Sequence, residues 1–394
     1  MNKFGGKIYY ITRTWEKYKD SKTCSHIRAH YAALLSKYGE LCVVTPNYKS
    51  NEIIIGDDII SFPFKNSFAS KINTFLQYLL VKEDYLDSWT ISTYNYMKNI
   101  VSCKDIIFSV TGGDLSSVKL ASMLKSNYNC KVIINFSDPV DGIKINGYKS
   151  EIYKGFDRSK IAYNYMKNAD AFITSSKTYL ESLNSDSRYT NILKFNHYYG
   201  IANDYNYSEL DNIKKPHDIL NIVYGGTMGK IQNAEIGYKA FNNIDDIKMT
   251  YLCSDYKTKQ KKMPSNNVFF SPLLNKTEYN NYILENCDVG FVSLMSPFAG
   301  VYVPSKIFDY INLGVPILAS LPDGDAKNII NNNGYGFASK DGDIEALRAN
   351  AKKLSDIKIY SSIRTRILSD RNKWNRENTD NDFYKIVDDI LGRF

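Results

Sequence analysis

Two charged side chains three positions apart, Lys306 and Asp309, are the residues of this chain best suited to chemistry on an anionic ligand. They lie in the stretch 301–320, VYVPSKIFDYINLGVPILAS. Pro304 suits the first position of a helix, and Gly314 suits its end. A lysine at a helix N-terminus adds a full charge where free N–H groups already attract phosphates. A carboxylate one turn later can hold the vicinal hydroxyls of a ribose. The stretch therefore predicts a nucleoside diphosphate site.

A glycine-rich turn about 80 residues earlier supplies a second candidate phosphate contact. The residues 219–224 are typical of a strand, and the run GGTMGK after them contains Gly226, Thr227 and Lys230. A strand, a glycine turn and a helix let backbone N–H groups approach a phosphate closely. The dinucleotide fingerprint G-x-G-x-x-G is absent. Together with Lys306, this turn predicts a two-sided clamp to which Lys230 adds charge.

The segment PSKIFDYINLGVPILAS resembles the donor-binding signature of the retaining glycosyltransferase family 4, (P/N)-S-K-x-x-E-Y-x-x-x-G-x-P-V. NADAFITSS resembles the family pattern A-D-x-I-I-x-x-S, and GTMGKIQ resembles a subgroup that builds bacterial surface polysaccharides such as O-antigen and capsule. The resemblance implies an α/β protein of the GT-B fold. Such a protein has two doubly wound Rossmann-like domains that face a cleft, and a C-terminal helix that crosses back to the first domain.

The chain departs from the family pattern at three places. The E-x7-E motif would put its first Glu at Val301, and Asp309 stands at its second acidic position, one methylene shorter than Glu. Thr227 and Gln232 stand where the family has Arg and Lys. Backbone amides around Gly300 are expected to contact the donor sugar instead, as the subgroup suggests. The predicted donor-binding residues are Gly226, Thr227, Lys230, Gly300, Val301, Ser305, Lys306 and Asp309.

Three charged residues of the first half follow predicted strands. Arg13 follows a strand at 7–12, Asp114 follows one at 105–110, and Asp138 follows one at 131–136. Loops at the carboxyl ends of strands face the ligand crevice of a doubly wound sheet, so these residues are predicted on the acceptor side. Asp138 is also a candidate catalytic residue, beside Lys306. A turn or helix cap before a proline is an equally good interpretation of Asp138.

Metal ligands are scarce in the sequence. His26 and His30 lie four apart on a predicted helix, a spacing compatible with a metal ion. Because no Glu stands between them and no other ligand is near, two helix-surface histidines are the favoured interpretation. No D-x-D motif suited to a metal–diphosphate site is present. We therefore expect neither a metal nor another cofactor besides the donor substrate.

A chain of 394 residues exceeds what one hydrophobic core usually supports, so two domains are expected. The polar, tyrosine-rich segment after residue 200 predicts the connection between them. The predicted organisation is an acceptor-side domain at 1–205, a linker at 206–218, a nucleotide-sugar domain at 219–365 and the returning helix at 366–394.

The net charge is +8, and the first 215 residues hold most of it. Such a surface favours anionic lipid or an acidic acceptor, although a solvated basic surface is an equally good interpretation. No basic helix, zinc motif or RNP-type strand indicates nucleic acid. Scattered cysteines, the lack of a signal peptide and the lack of an apolar run of ~18 residues predict a cytoplasmic protein. Peripheral contact with the inner face of the membrane stays open, and the amphipathic run 72–81 is expected to pack inward.

The leading hypothesis is a retaining hexosyltransferase that uses a nucleotide-diphosphate sugar and a glycan or polyprenol-linked acceptor. Lys306 and Lys230 would stabilise the charge of the departing diphosphate in place of a metal ion. Two alternatives stay open. A sugar-nucleotide 2-epimerase shares the implied architecture, and a non-catalytic partner subunit fits the missing Glu and Arg.

Overall fold

The computed structural model describes residues 5–15, 25–64, 83–84, 86–140, 158–201, 216–229, 231–295 and 298–394. Outside the described residues lie Lys230, the run 72–81, residues 206–215 of the predicted linker and the segment 16–24. Contacts divide the chain into two compact units, Met1–Tyr198 with Asp380–Phe394 and Tyr199–Thr379. Each unit contains a mainly parallel sheet with helices, so the predicted α/β class is confirmed.

The first unit alternates strands and helices along most of its length. Its elements are β1 Ile8–Thr12, α1 Ser25–Leu35, β2 Leu41–Asn47, β3 Ile54–Ile55, β4 Ile59–Pro63, α2 Asp87–Met97, β5 Ile106–Gly112, α3 Ser116–Tyr128, β6 Lys131–Asp138, α4 Arg158–Met166, β7 Ala171–Thr174, α5 Lys177–Ser185, a 3₁₀ turn Ser187–Tyr189 and β8 Leu193–Asn196.

The sheet of the first unit has the strand order β3-β4-β2-β1-β5-β6-β7-β8. All neighbouring strands are parallel except β3 and β4, which pair antiparallel. β1 lies between β2 and β5, with Ile8 opposite both Leu41 and Ile106. The strand order therefore reverses between β1 and β5. Doubly wound sheets bind ligands beyond the carboxyl ends of strands at such a reversal.

The last helix, α13 Arg376–Gly392, completes the core of the first unit, to which residues from Asp380 onward belong. The side chain of Phe383 is fully buried. Its ring centroid lies 4.8 Å from that of Tyr31 and 6.2 Å from that of Phe108. β1 is buried at all five of its positions, as expected of a strand covered on both faces.

The second unit has the same alternation. Its elements are β9 Leu220–Gly225, α6 Glu235–Phe241, β10 Ile247–Leu252, α7 Tyr256–Lys262, β11 Val268–Ser271, α8 Lys276–Asn286, β12 Val289–Ser293, a 3₁₀ turn Phe298–Val301, α9 Lys306–Asn312, β13 Ile317–Leu321, α10 Asp325–Asn333, β14 Gly336–Lys340, α11 Ile344–Leu354, α12 Ile357–Asp370 and a 3₁₀ turn Arg371–Trp374.

The second sheet is parallel throughout, in the order β11-β10-β9-β12-β13-β14. Its order reverses between β9 and β12, which pair through Ile222 opposite Val289. The core contains Tyr224 and Tyr251, whose rings are 5.8 Å apart, and Phe291 of β12. The second reversal therefore lies where the sequence predicts the glycine turn and the lysine-bearing segment.

The helix that carries Lys306 begins later than the sequence indicates. Pro304 is not its first residue; α9 starts at Lys306, and Pro304 and Ser305 form the turn before it. The N–H of Ile307 donates to the carbonyl of Pro304 at 3.1 Å. Gly314 follows the helix with φ of 65°, the left-handed conformation that favours glycine there. None of the helices described is long and apolar enough to span a membrane.

Candidate functional site

Lys306 and Gly226 come together at the carboxyl end of the second sheet. The Nζ atom of Lys306 lies 4.9 Å from the ring centroid of Tyr224, the penultimate residue of β9. A Cβ atom added to Gly226 would be 3.0 Å from Cε and 3.1 Å from Nζ of Lys306. Gly226 has φ of 127°, a conformation that side chains rarely adopt. The glycine thus lets the ammonium group lie directly against the turn.

Tyr224 lies beneath this ammonium group, and two further tyrosines pack nearby. The hydroxyl of Tyr224 donates to the carbonyl of Thr227 at 2.5 Å. The hydroxyl of Tyr310 donates to the carbonyl of Val223 at 2.9 Å. The hydroxyl of Tyr279 in turn donates to the hydroxyl of Tyr310 at 3.4 Å. Burial raises the pKa of all three phenols, so they stay protonated and add no negative charge near the lysine.

Asp309 lies on α9 one turn after Lys306 and is paired with a residue that the sequence did not single out. The Nζ atom of Lys276 is 2.6 Å from Oδ1 of Asp309. Lys276 is the first residue of α8, and its ammonium group is 5.7 Å from the ring centroid of Tyr279. The candidate ribose-binding carboxylate is therefore already paired with a lysine from another helix.

The remaining donor-side predictions lie on the loops around this centre. Thr227 and Ser305 are exposed, and Ser305 makes no side-chain capping bond to α9. Gly300 packs on the carbonyl of Asp323, which a Cβ atom there would approach to 2.4 Å. The backbone around Gly300 is therefore held close to the chain that leads into α10. Val301, at the end of the same 3₁₀ turn, is half-buried.

The turn after β9 is tied to the carboxyl end of β12. The hydroxyl of Ser293 donates to the carbonyl of Gln232 at 2.6 Å, and the N–H of Met295 donates to the carbonyl of Ile231 at 2.8 Å. The two segments that flank the reversal in strand order are thus held together by backbone and side-chain bonds. Lys230, which the sequence adds to the clamp, lies outside the described residues.

The first unit gathers two arginines at the carboxyl end of its own sheet. A Cβ atom on Gly112 would lie 2.8 Å from Nη2 of Arg28 and 3.1 Å from Nη2 of Arg13. Arg28 is buried on α1 and also donates to the hydroxyl of Thr14. A glycine at the end of β5 thus leaves room for both guanidinium groups. The sequence predicted Arg13 here, and it missed Arg28.

Two aspartates accompany these arginines, and they differ in how their carboxylates are used. Asp114 is buried, and its oxygens accept from the N–H of Gly112 at 3.0 Å and from the hydroxyl of Ser117 at 2.8 Å. Nε of Arg13 is 3.6 Å from it. Asp138 has no side-chain hydrogen bond to the described residues. Burial raises its pKa, although the positive charges of Arg13 and Arg28 oppose this shift.

The candidate residues of the first half therefore form one cluster, in which Asp114 holds the turn between β5 and α3. Asp138 ends β6 instead of capping a helix that the structure describes. The residues that sequence reasoning missed, Arg28 and Lys276, both lie on predicted helices. No motif marked them, because their importance depends on contacts with residues distant in the chain.

The histidines that could have suggested a metal do not meet further ligands in the described chain. Nε2 of His30 is 2.6 Å from Oδ1 of Asp380 on α13. The side chain of His26 lies outside the described part. Among the residues that the structure describes, no group of three or more His, Cys, Asp or Glu side chains could hold a metal ion.

None of the protein-family models and none of the curated proteins matches this sequence. Solved structures do match it over nearly its whole length. The UDP-forming α,α-trehalose-phosphate synthase of Burkholderia vietnamiensis is 7% identical with a TM-score of 0.67, and 98% of this chain and 100% of that chain are covered. The corresponding enzyme of Burkholderia xenovorans, in complex with glucose-6-phosphate, is 7% identical with a TM-score of 0.66, at 97% and 99% coverage. Anabaena HepE, in complex with UDP-glucose, is 12% identical with a TM-score of 0.63, at 97% and 99% coverage.

Identities this low establish the fold and nothing finer. The similarity extends through both units, so the predicted GT-B fold is confirmed. This fold occurs in nucleotide-sugar glycosyltransferases. A shared fold does not by itself fix the reaction, which has to be argued from the residues of the site.

Proposed function

We propose that this protein is a retaining glycosyltransferase, similar to family 4, that transfers a hexose from a nucleoside-diphosphate sugar to a glycan or polyprenol-linked acceptor. The observation that carries the proposal is the contact between Lys306 and Gly226 at the reversal in strand order of the second sheet. An ammonium group held against a glycine turn at that position suits a diphosphate. A role in O-antigen or capsule biosynthesis follows from the subgroup resemblance of the same turn.

The chemistry that this arrangement supports is stabilisation of a departing diphosphate. As the bond to the sugar breaks, negative charge grows on the phosphate oxygens while the sugar becomes cation-like. Lys306 supplies a fixed positive charge at that point, and the protonated Tyr224 beneath it leaves this charge intact. We propose that the transfer needs no metal ion, and that the sugar keeps its anomeric configuration.

The acceptor side of the proposal rests on the arginine pair of the first unit. Arg13 and Arg28 converge on Gly112 and would bind an anionic group of the acceptor, such as the phosphate of a polyprenol-linked saccharide. The Burkholderia xenovorans enzyme is named in complex with glucose-6-phosphate, a phosphate-bearing sugar. A polyprenol-linked acceptor would bring the protein to the inner face of the membrane.

The test begins with nucleotide binding by the full chain. Thermal shifts with UDP, GDP, CMP and their sugars identify the donor, and NMR of the product establishes its anomeric configuration. Lys306→Ala should then lower kcat about 100-fold, because losing one such charge costs on the order of 3 kcal/mol of barrier.

Lys353→Ala is the matched control, because Lys353 also lies over an aromatic ring, that of Phe337, at 5.2 Å. It should leave kcat unchanged. A Lys306→Ala protein that folds normally and transfers sugar at the original rate would refute the proposed site.

A further inference from the structure

The ion pair between Lys276 and Asp309 leaves part of both groups available. The side chains are 37% and 22% exposed, so the pair is accessible to a ligand. Oδ1 of Asp309 is occupied by Lys276 at 2.6 Å. Its other oxygen, Oδ2, receives no side-chain hydrogen bond from the residues that the structure describes. Lys276 has three N–H donors, and Asp309 uses one of them.

The position of Lys276 is fixed from two sides. Asn275 and Glu278 form a capping box at the start of α8, with both bonds at 3.0 Å. Tyr279, one turn further, packs against Gly225, where a Cβ atom would be 2.4 Å from its ring. The helix is thus anchored to the end of β9, and Lys276 reaches Asp309 from an ordered start.

Stability gives little reason for a lysine at this position. A cation at a helix N-terminus opposes the helix dipole and is slightly destabilising there. A partly exposed ion pair contributes about the same amount in the other direction. The two contributions roughly cancel, so a contact with a ligand is the better explanation for Lys276.

We propose that Lys276 is a specificity-determining residue that, together with Asp309, recognises the ribose of a nucleoside diphosphate. This inference rests on the proposed function. Oδ2 of Asp309 accepts a hydrogen bond from one of the vicinal hydroxyls, and Nζ of Lys276 donates to the oxygen of the other. With Oδ1 of Asp309 already bonded to Lys276, the two remaining N–H donors of the lysine lie beside the free oxygen Oδ2. The lysine supplies the second contact.

The experiment is calorimetric titration of the full chain with UDP and GDP, each beside its 2′-deoxy and 3′-deoxy analogues. The wild type should bind at least one ribonucleotide about 10-fold more tightly than one of its deoxy analogues, as expected for a hydrogen bond to a charged group. Lys276→Met should lose about 10-fold in affinity for that ribonucleotide and should no longer distinguish it from the analogue that lacks the hydroxyl held by Lys276, while discrimination against the other analogue, through Asp309, should remain. Lys276→Arg should restore part of the discrimination.

Lys259→Met is the matched control, since Nζ of Lys259 is 2.5 Å from Oε1 of Glu235 on the same unit. It should behave as the wild type. Equal losses for the ribonucleotide and both deoxy analogues in Lys276→Met would overturn ribose recognition, and so would unchanged discrimination. If the wild type binds no nucleoside diphosphate at all, the proposed function fails as well, and that outcome is seen before any variant is made.

Discussion

The carboxyl ends of the two sheets are built from similar elements and carry different charge. In the second unit the described charged groups are two lysines and one aspartate: Lys276, Lys306 and Asp309. In the first unit two arginines face two aspartates: Arg13, Arg28, Asp114 and Asp138. The described groups therefore leave a positive balance in the second unit and none in the first. A doubly charged leaving group fits the former.

The difference also concerns how each aspartate is used. Both oxygens of Asp114 are engaged by its own turn, so this carboxylate belongs to the framework. Asp309 bonds through Oδ1 to a single lysine on another helix, and it is partly exposed. Position at the edge of a parallel sheet thus does not distinguish the structural carboxylate of Asp114 from the proposed ligand-binding carboxylate of Asp309. The number of hydrogen bonds that each carboxylate already accepts within the protein does distinguish them.

The largest effect in this comparison should come from Gly226→Ala, which changes only the second unit. The substitution forces a side chain into φ of 127° and places its Cβ atom 3.0 Å from Lys306. Left-handed strain costs about 1–2 kcal/mol, so affinity for UDP or GDP should fall about 10-fold or more in calorimetry. Gly342→Ala is the control, because Gly342 also has a positive φ, 80°, while a Cβ atom there would meet nothing within 4 Å. Equal affinity of the two variants would contradict the role of the turn.

A second prediction compares the two aspartates directly. Asp114→Asn should lower the free energy of unfolding by about 1–3 kcal/mol, because a buried carboxylate that accepts several bonds becomes neutral. Asp309→Asn should change it by less than about 1 kcal/mol, because its ion pair is partly exposed. Urea denaturation measures both. The contrast fails if Asp309→Asn proves the more destabilising of the two.

The smallest effect concerns Asp138 and pH. Burial raises its pKa in the folded protein above the ordinary value of 3.8, so the unfolded chain releases this proton first. Its contribution to stability is therefore complete below that value and is lost as pH rises through the folded pKa. Asp138→Asn should be more stable than the wild type at pH 7, and this advantage should disappear near pH 3. Thermal melts across that range would show the same difference in melting temperature between the two proteins at every pH if the pKa is not raised.

Much of the second unit could be predicted because its signals are local in sequence. A strand followed by Gly226 and a short helix opened by Lys306 are each visible within a few residues, and parallel topology brings both to one edge. Lys276 was not predicted as part of the site. Its partner is 33 residues away, and which side chain reaches Asp309 depends on how α8 packs against β9.

The first unit was harder for the same reason. Arg13 and Asp138 could be placed from the ends of predicted strands, whereas Arg28 reaches Gly112 from the middle of a helix with no distinctive pattern. β3, β4 and α2 also escaped prediction. β3 has only two residues, and α2 buries Thr90 and Thr93 while Ile91 is exposed, so its sequence shows no clear helical period of apolar residues.

The return of the last helix has a consequence for how the protein forms during translation. Phe383 fills the space between Tyr31 and Phe108, yet the ribosome adds it only after the entire second unit has been made. The core of the first unit therefore stays incomplete until α13 has been translated. The sheet of the second unit is continuous in the chain, so that unit can fold first. A fragment that stops before α13 should expose this aromatic surface and depend on chaperones to stay dispersed.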